Sequence, residues 1–220
     1  MNRRPIFFTG TGTDIGKTHV LCALLEIYRS VGGRARVLKP VLSGFDNAAV
    51  SASDTARLLA ANGDVLSAKT VKATTPWRFT APLSPDMAAR RENRDLPLDR
   101  IAAWCGDQCG ADRPTFVEGA GGIMSPIAVD GLNLDLIREL DAFPVLVAGN
   151  YLGTISHTLT ALRVLDGRAA VVINPRNGDP VSADETAATL KRFAPRAEII
   201  EYSASRPEQL LRIVDLGLRD

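Results

Sequence analysis

The segment Gly10-Thr11-Gly12-Thr13-Asp14-Ile15-Gly16-Lys17-Thr18 has the residue types that phosphate chemistry needs. It follows a short apolar run and opens an amphipathic stretch. Glycines let backbone N–H groups turn inward, and a helix N-terminus adds its partial positive charge. Lys17 can reach the β- and γ-phosphates, and the Thr18 hydroxyl can ligate Mg²⁺. The usual pattern G-x-x-x-x-G-K-[ST] wants Gly at position 11. Here Gly10 and Gly12 flank Thr11, as in a loop one residue longer. A Gly/Thr turn that only caps a helix is the competing reading. The preceding strand, the following helix and the complete Gly-Lys-Thr ending favour phosphate.

Three further charged residues could join this loop. Thr115-Phe116-Val117-Glu118 is an apolar run ending in an acid, and Gly119-Ala120-Gly121-Gly122 follows at once. A carboxylate at the end of a second strand commonly holds the hydrated Mg²⁺ of such enzymes, and small residues let a nucleotide approach the backbone. Alone, Glu118 could equally be a strand-end charge held by loop amides. Asp54 precedes a helix, where a capping role competes with a metal role. Lys39-Pro40 ends the second strand. A lysine there can point into the phosphate crevice or sit in a surface ion pair.

These residues need elements to position them. Strands are predicted at Ile6–Thr9, Arg34–Leu38, Thr115–Glu118, Pro144–Ala148, Ala169–Ile173 and Glu198–Glu201. Most do not alternate, as expected of strands buried on both faces. Helices are predicted at Lys17–Val31, Asp54–Ala61, Leu98–Cys109, Leu134–Leu140, Ile155–Leu165, Ser182–Phe193 and Pro207–Val214. In the first of them Leu21, Leu24, Leu25, Tyr28 and Val31 form the dry face. Thr74–Asp86, with three prolines and two aromatics, reads as an ordered loop of the kind that lines a site. Asn174–Asp179 reads as a turn after a strand. The alternation predicts an α/β fold: a three-layer P-loop NTPase-like domain with a mostly parallel central sheet flanked by helices, residues 1–220 forming one domain.

Composition narrows the function. The chain has 26 basic and 25 acidic residues, a formal net charge of +1. No global field attracts nucleic acid or an anionic membrane. No apolar stretch approaches a signal-peptide core or a membrane span, so a cytoplasmic protein is expected. Cys22, Cys105 and Cys109 are an odd count with no His or Cys pair to complete a metal site. They read as packing residues.

In order along the chain, these motifs resemble the dethiobiotin synthetase family. The similarity rests on Gly10–Thr18, Lys39-Pro40 with Ser43-Gly44, Asp54, Pro82-Leu-Ser-Pro85, Val117–Gly122, Leu152-Gly-Thr-Ile-Ser-His157 and Asn174. The resemblance implies an ATP-dependent cyclo-ligase that converts 7,8-diaminopelargonic acid and CO2 to dethiobiotin, with ADP and phosphate as co-products. It implies Mg²⁺ and ATP as cofactors, with Thr18, Asp54 and Glu118 holding the metal. It makes Lys17, Lys39 and Thr13 catalytic. Gly12, Thr13, Asp14, Ile15, Gly16, Lys17, Thr18, Asp54, Glu118, Gly119, Ala120, Gly121 and Asn174 would bind nucleotide, Asn174 at the adenine. Thr13, Lys39 and Ser43 would contact the carbamate or the substrate amines. Gly153, Thr154, Ile155 and Ser156 would take the substrate carboxylate from the second subunit of a homodimer. The chain departs from the family in four places. Gly12 stands where Asp is usual, Asp14 replaces a common Glu, Ser156 a common Asn, and Glu198–Arg206 lacks a Pro-rich stretch.

Two other readings belong to different classes. A ParA- or MinD-like switch ATPase would carry a lysine early in the loop, where this chain has Gly12. The synthetase domain of a cobyrinic-acid-type amidotransferase would need a glutaminase domain for which 220 residues leave no room. A domain that binds nucleotide without catalysis is the remaining alternative.

Overall fold

A computed structural model describes residues 3–219. In chain order its elements are β1 (Ile6–Gly10), α1 (Lys17–Ser30), β2 (Arg36–Leu38), β3 (Val41–Ser43), α2 (Asp54–Asn62), α3 (Ala68–Thr74), β4 (Trp77–Phe79) and α4 (Pro85–Arg91). Then follow α5 (Leu98–Gln108), β5 (Thr115–Glu118), α6 (Asn133–Glu139), β6 (Phe143–Gly149), α7 (Thr154–Val164), β7 (Ala170–Asn174), α8 (Ala183–Phe193), β8 (Glu198–Glu201) and α9 (Leu211–Gly217). Six strands form one parallel sheet in the order β2-β5-β1-β6-β7-β8.

The strands lack alternation because both faces are covered. Phe7 packs into one core and its neighbours Ile6 and Phe8 into the other. Leu21, Leu24 and Leu25 of α1 and Ile213 of α9 cover the Phe8 side. Ile101 of α5, Leu136 of α6, Leu162 of α7 and Leu190 of α8 cover the Phe7 side. Fully burying one such side chain is worth about 1.5–3 kcal/mol, so these helices are held on the sheet chiefly by their apolar faces. The result is the expected three-layer architecture. Strand order reverses about β1, and in open α/β sheets ligands bind outside the carboxyl ends of the strands at such a point.

All six expected strands and all seven expected helices occur, with ends shifted by up to four residues. Four details differ from expectation. Thr74–Asp86 is not wholly loop: it contains β4, which pairs in parallel with β3 as a separate two-stranded sheet. Helices α3 and α4 are additional. The first helix ends at Ser30, so Val31 caps it at 61% exposure and does not belong to the dry face. The segment from Pro207 starts as a 3-10 turn before α9. Cys105 and Cys109 are buried and unpaired, and burial raises both thiol pKa values, consistent with packing roles.

Candidate active site

The connection from β1 to α1 is tightly wound. Asp14 (φ 56°) and Gly16 (φ 95°) both take the left-handed conformation. At Gly16 the conformation suits only glycine, and a Cβ there would stand 2.1 Å from Asn174 Nδ2. Asn174, buried at the end of β7, donates to the Ile15 carbonyl at 2.9 Å and so props the loop from outside. Arg176 donates to the Asp14 carbonyl. Lys17 is itself buried and folds back to donate to the Gly12 carbonyl at 3.1 Å. Desolvation lowers its pKa, partly countered by Glu118, while the positive charge of Lys39 lowers it further.

The carboxyl ends of β5 and β2 face this loop. Glu118 ends β5 fully buried, and Lys39 follows β2 at 3% exposure. Their contact, Nζ to Oε1, is 2.5 Å. Lys39 also lies 3.2 Å from Asp54 Oδ2. The Thr18 hydroxyl donates to the same Glu118 oxygen at 2.7 Å. Burial alone would depress the Lys39 pKa, but the Glu118 and Asp54 carboxylates together raise it. Lys39 is therefore held as an ammonium inside the protein, and the surface ion-pair reading is excluded. Asp54 is not the cap of α2. Ser53 is, accepting from the Ala56 N–H at 3.2 Å, which leaves the Asp54 carboxylate free to turn to Lys39.

A cleft of about 660 Å³ opens over these groups. It gathers Thr13, Asp14, Gly16, Lys17 and Thr18 from the loop, Lys39 and Ser43 from the second strand region, and Asp54. Glu118, Gly119, Ala120 and Gly121 complete its floor, and Pro82–Pro85 forms one wall, as expected of that proline-rich segment. Three expectations fall elsewhere. The Ile15 side chain is in the core, and Gly12 meets the site through its carbonyl. Asn174 lines a neighbouring cavity of about 340 Å³. Gly153, Thr154, Ile155 and Ser156, at the start of α7, do not line their own chain's cleft, and Thr154 is turned inward onto the Gly149 carbonyl. His19 was not singled out from sequence. It lines both the cleft and the Asn174 cavity and meets Tyr202 edge-on at 5.3 Å.

No cluster of three or more His, Cys, Asp or Glu is found among the described residues, so a cation here would draw only part of its shell from protein. The donors fit such an ion. Thr18, Asp54 and Glu118 offer hard oxygens, and Glu118 Oε2 is buried without any partner. Mg²⁺ usually takes one or two carboxylates and completes its shell with phosphate and water.

A family model described as an AAA domain matches residues 4–204. The ATP-dependent dethiobiotin synthetase BioD of Methylobacterium nodulans is 43% identical over 199 residues, covering 86% of this chain and 88% of that protein. That of Caulobacter vibrioides is 44% identical over 219 residues, covering 97% and 98%. The chain belongs to the dethiobiotin synthetase family. The Acidiphilium cryptum member, 45% identical over 192 residues, covers 84% and 86%. These matches favour the family over a ParA- or MinD-like switch ATPase, in agreement with Gly12 where those carry lysine.

Proposed function

We propose that this protein closes the cyclic urea of dethiobiotin from 7,8-diaminopelargonic acid, CO2 and ATP, releasing ADP and phosphate. One observation carries the reading: two buried lysines, Lys17 and Lys39, converge with Glu118 and Asp54 on a single cleft beside a phosphate loop. The reaction makes that demand. One substrate amine adds CO2 and loses a proton to become a carbamate. A carbamate oxygen then attacks the γ-phosphorus and ADP leaves. The second amine attacks the carbonyl carbon of the resulting carbamic-phosphoric anhydride, and phosphate departs as the ring closes.

Two oxyanions must meet in the second step. Lys17 sits where it can leave the Gly12 carbonyl for the β- and γ-phosphates. Lys39 can leave the carboxylates for the carbamate and the transferring phosphoryl. Preorganised positive charge on buried side chains is the main catalytic contribution available here. Thr13 and Ser43 orient the carbamate and amines. Thr18, Asp54 and Glu118 would hold Mg²⁺, which supplies further positive charge to the phosphates when bound. Asn174, which lines the neighbouring cavity, would hydrogen-bond the adenine. The Gly153–Ser156 segment serves the cleft of a second subunit; that it does not line its own cleft and the 91% exposure of Leu152 support this. Residues 1–220 act as one cytoplasmic catalytic domain in this reading. Mass spectrometry after incubation with the diamine, ATP and ¹³C-bicarbonate tests it. One labelled carbon in a cyclic urea product is expected, and unlabelled, uncyclised diamine would refute it.

A further inference from the structure

Asn133, the first residue of α6, is fully buried and touches no cleft surface. Its amide is aimed at the loop behind Glu118. Nδ2 donates to the Ala120 carbonyl at 2.7 Å and the Gly122 carbonyl at 2.8 Å, with a longer approach of 3.4 Å to the Ser125 carbonyl. Its backbone N–H donates to the Ser125 carbonyl at 3.1 Å, and the next N–H, of Leu134, to the Ile123 carbonyl at 3.0 Å. The Oδ1 atom has no partner. An orphaned buried acceptor is costly, so the two short donations are the feature that this side chain contributes.

The loop held in this way is itself pressed against the phosphate loop. The Gly119 N–H donates to the Phe8 carbonyl at 3.0 Å, and the Ile123 N–H to the Gly10 carbonyl at 2.9 Å. A Cβ on Gly122 would lie 3.2–3.3 Å from Gly10 O and from the backbone of Gly12. One on Gly119 would lie 2.4 Å from Asn133 Oδ1. Gly122 thus lets the two loops pack closely, Gly119 leaves room for the Asn133 amide, and Asn133 holds the outer loop by its carbonyls.

We propose that Asn133 is a positioning residue: it locks the Glu118–Gly122 loop against the phosphate loop and so sets the affinity of the cleft for MgATP. The inference rests on the reading of the cleft as an ATP site. Asn133→Ser, too short to reach the loop carbonyls, and Asn133→Asp, which keeps the shape but turns donors into acceptors, test it. Kd and KM for MgATP are measured at a temperature where circular dichroism shows each variant folded. A displaced loop raises both constants by about 10–100-fold, the effect of losing two buried hydrogen bonds. A merely structural role would lower the active fraction, and thus apparent kcat, at unchanged KM. Constants within about twofold of wild type would overturn the proposal, as would loss of fold in both variants. Failure of the wild-type protein to bind MgATP at all would instead overturn the underlying ATP-site reading, and the proposal with it.

Discussion

Replacing Lys39 by Met is a sharp test of the electrostatics. The ammonium lies 2.5 Å from Glu118 Oε1 and 3.2 Å from Asp54 Oδ2. The Glu118 side chain is fully buried and its other oxygen is already unpartnered. Without Lys39 only the Thr18 hydroxyl remains on Glu118. Removing one partner of a buried pair costs roughly 3–5 kcal/mol. For a chain of this size about 1 kcal/mol moves Tm by roughly 2–4 °C, so a drop of about 6–20 °C is expected by calorimetry with EDTA present. Adding Glu118→Gln to Lys39→Met removes the stranded charge and should recover more than half of the loss. The sign with pH also follows. The folded pKa of Lys39 is raised above its unfolded value. Its contribution is therefore complete below about pH 10.4 and is lost as pH rises through the higher folded value. A Tm change under about 2 °C, or no recovery in the double variant, would refute the reasoning.

Other expectations concern the phosphate loop. The Lys17 pKa is lowered by burial, and a bound phosphate should raise it again, so ADP binding should take up protons wherever the pH lies between the lowered and the restored value. Affinity should weaken as pH rises through the free-chain value, as calorimetry in two buffers of different ionisation enthalpy would show, and Lys17→Met should abolish the uptake. Gly16→Ala would force a Cβ to 2.1 Å from Asn174 Nδ2 at a φ of 95° and should weaken ADP binding more than about 10-fold, since left-handed backbone alone costs roughly 1–2 kcal/mol. Asn174→Leu, which withdraws the donor from the Ile15 carbonyl, should loosen the same loop and raise the hydrogen-exchange rates of its amides.

The sheet was legible because two-sided burial writes continuous apolar runs, as in Ile6–Phe8 and Val145–Ala148. The phosphate loop was legible because its chemistry is local. Glu118 and Lys39 were legible only as strand-end charges; their 2.5 Å contact comes from β2 and β5 lying side by side, a tertiary fact. Strands β3 and β4 have three residues each, too few to show a period, and Trp77–Phe79 was masked by the prolines around it. Val31 continued the apolar spacing of α1 but falls after the helix has stopped. Asn133 and His19 carry no motif. Their roles arise from loops and strands distant in sequence that the fold sets against them.

The most direct test of the central claim is the stoichiometry of coupled turnover. With MgATP, bicarbonate and 7,8-diaminopelargonic acid, phosphate release should require the diamine, match cyclic urea one for one, and collapse in Lys39→Ala. Phosphate released equally with and without the diamine would contradict the account and point to a switch ATPase.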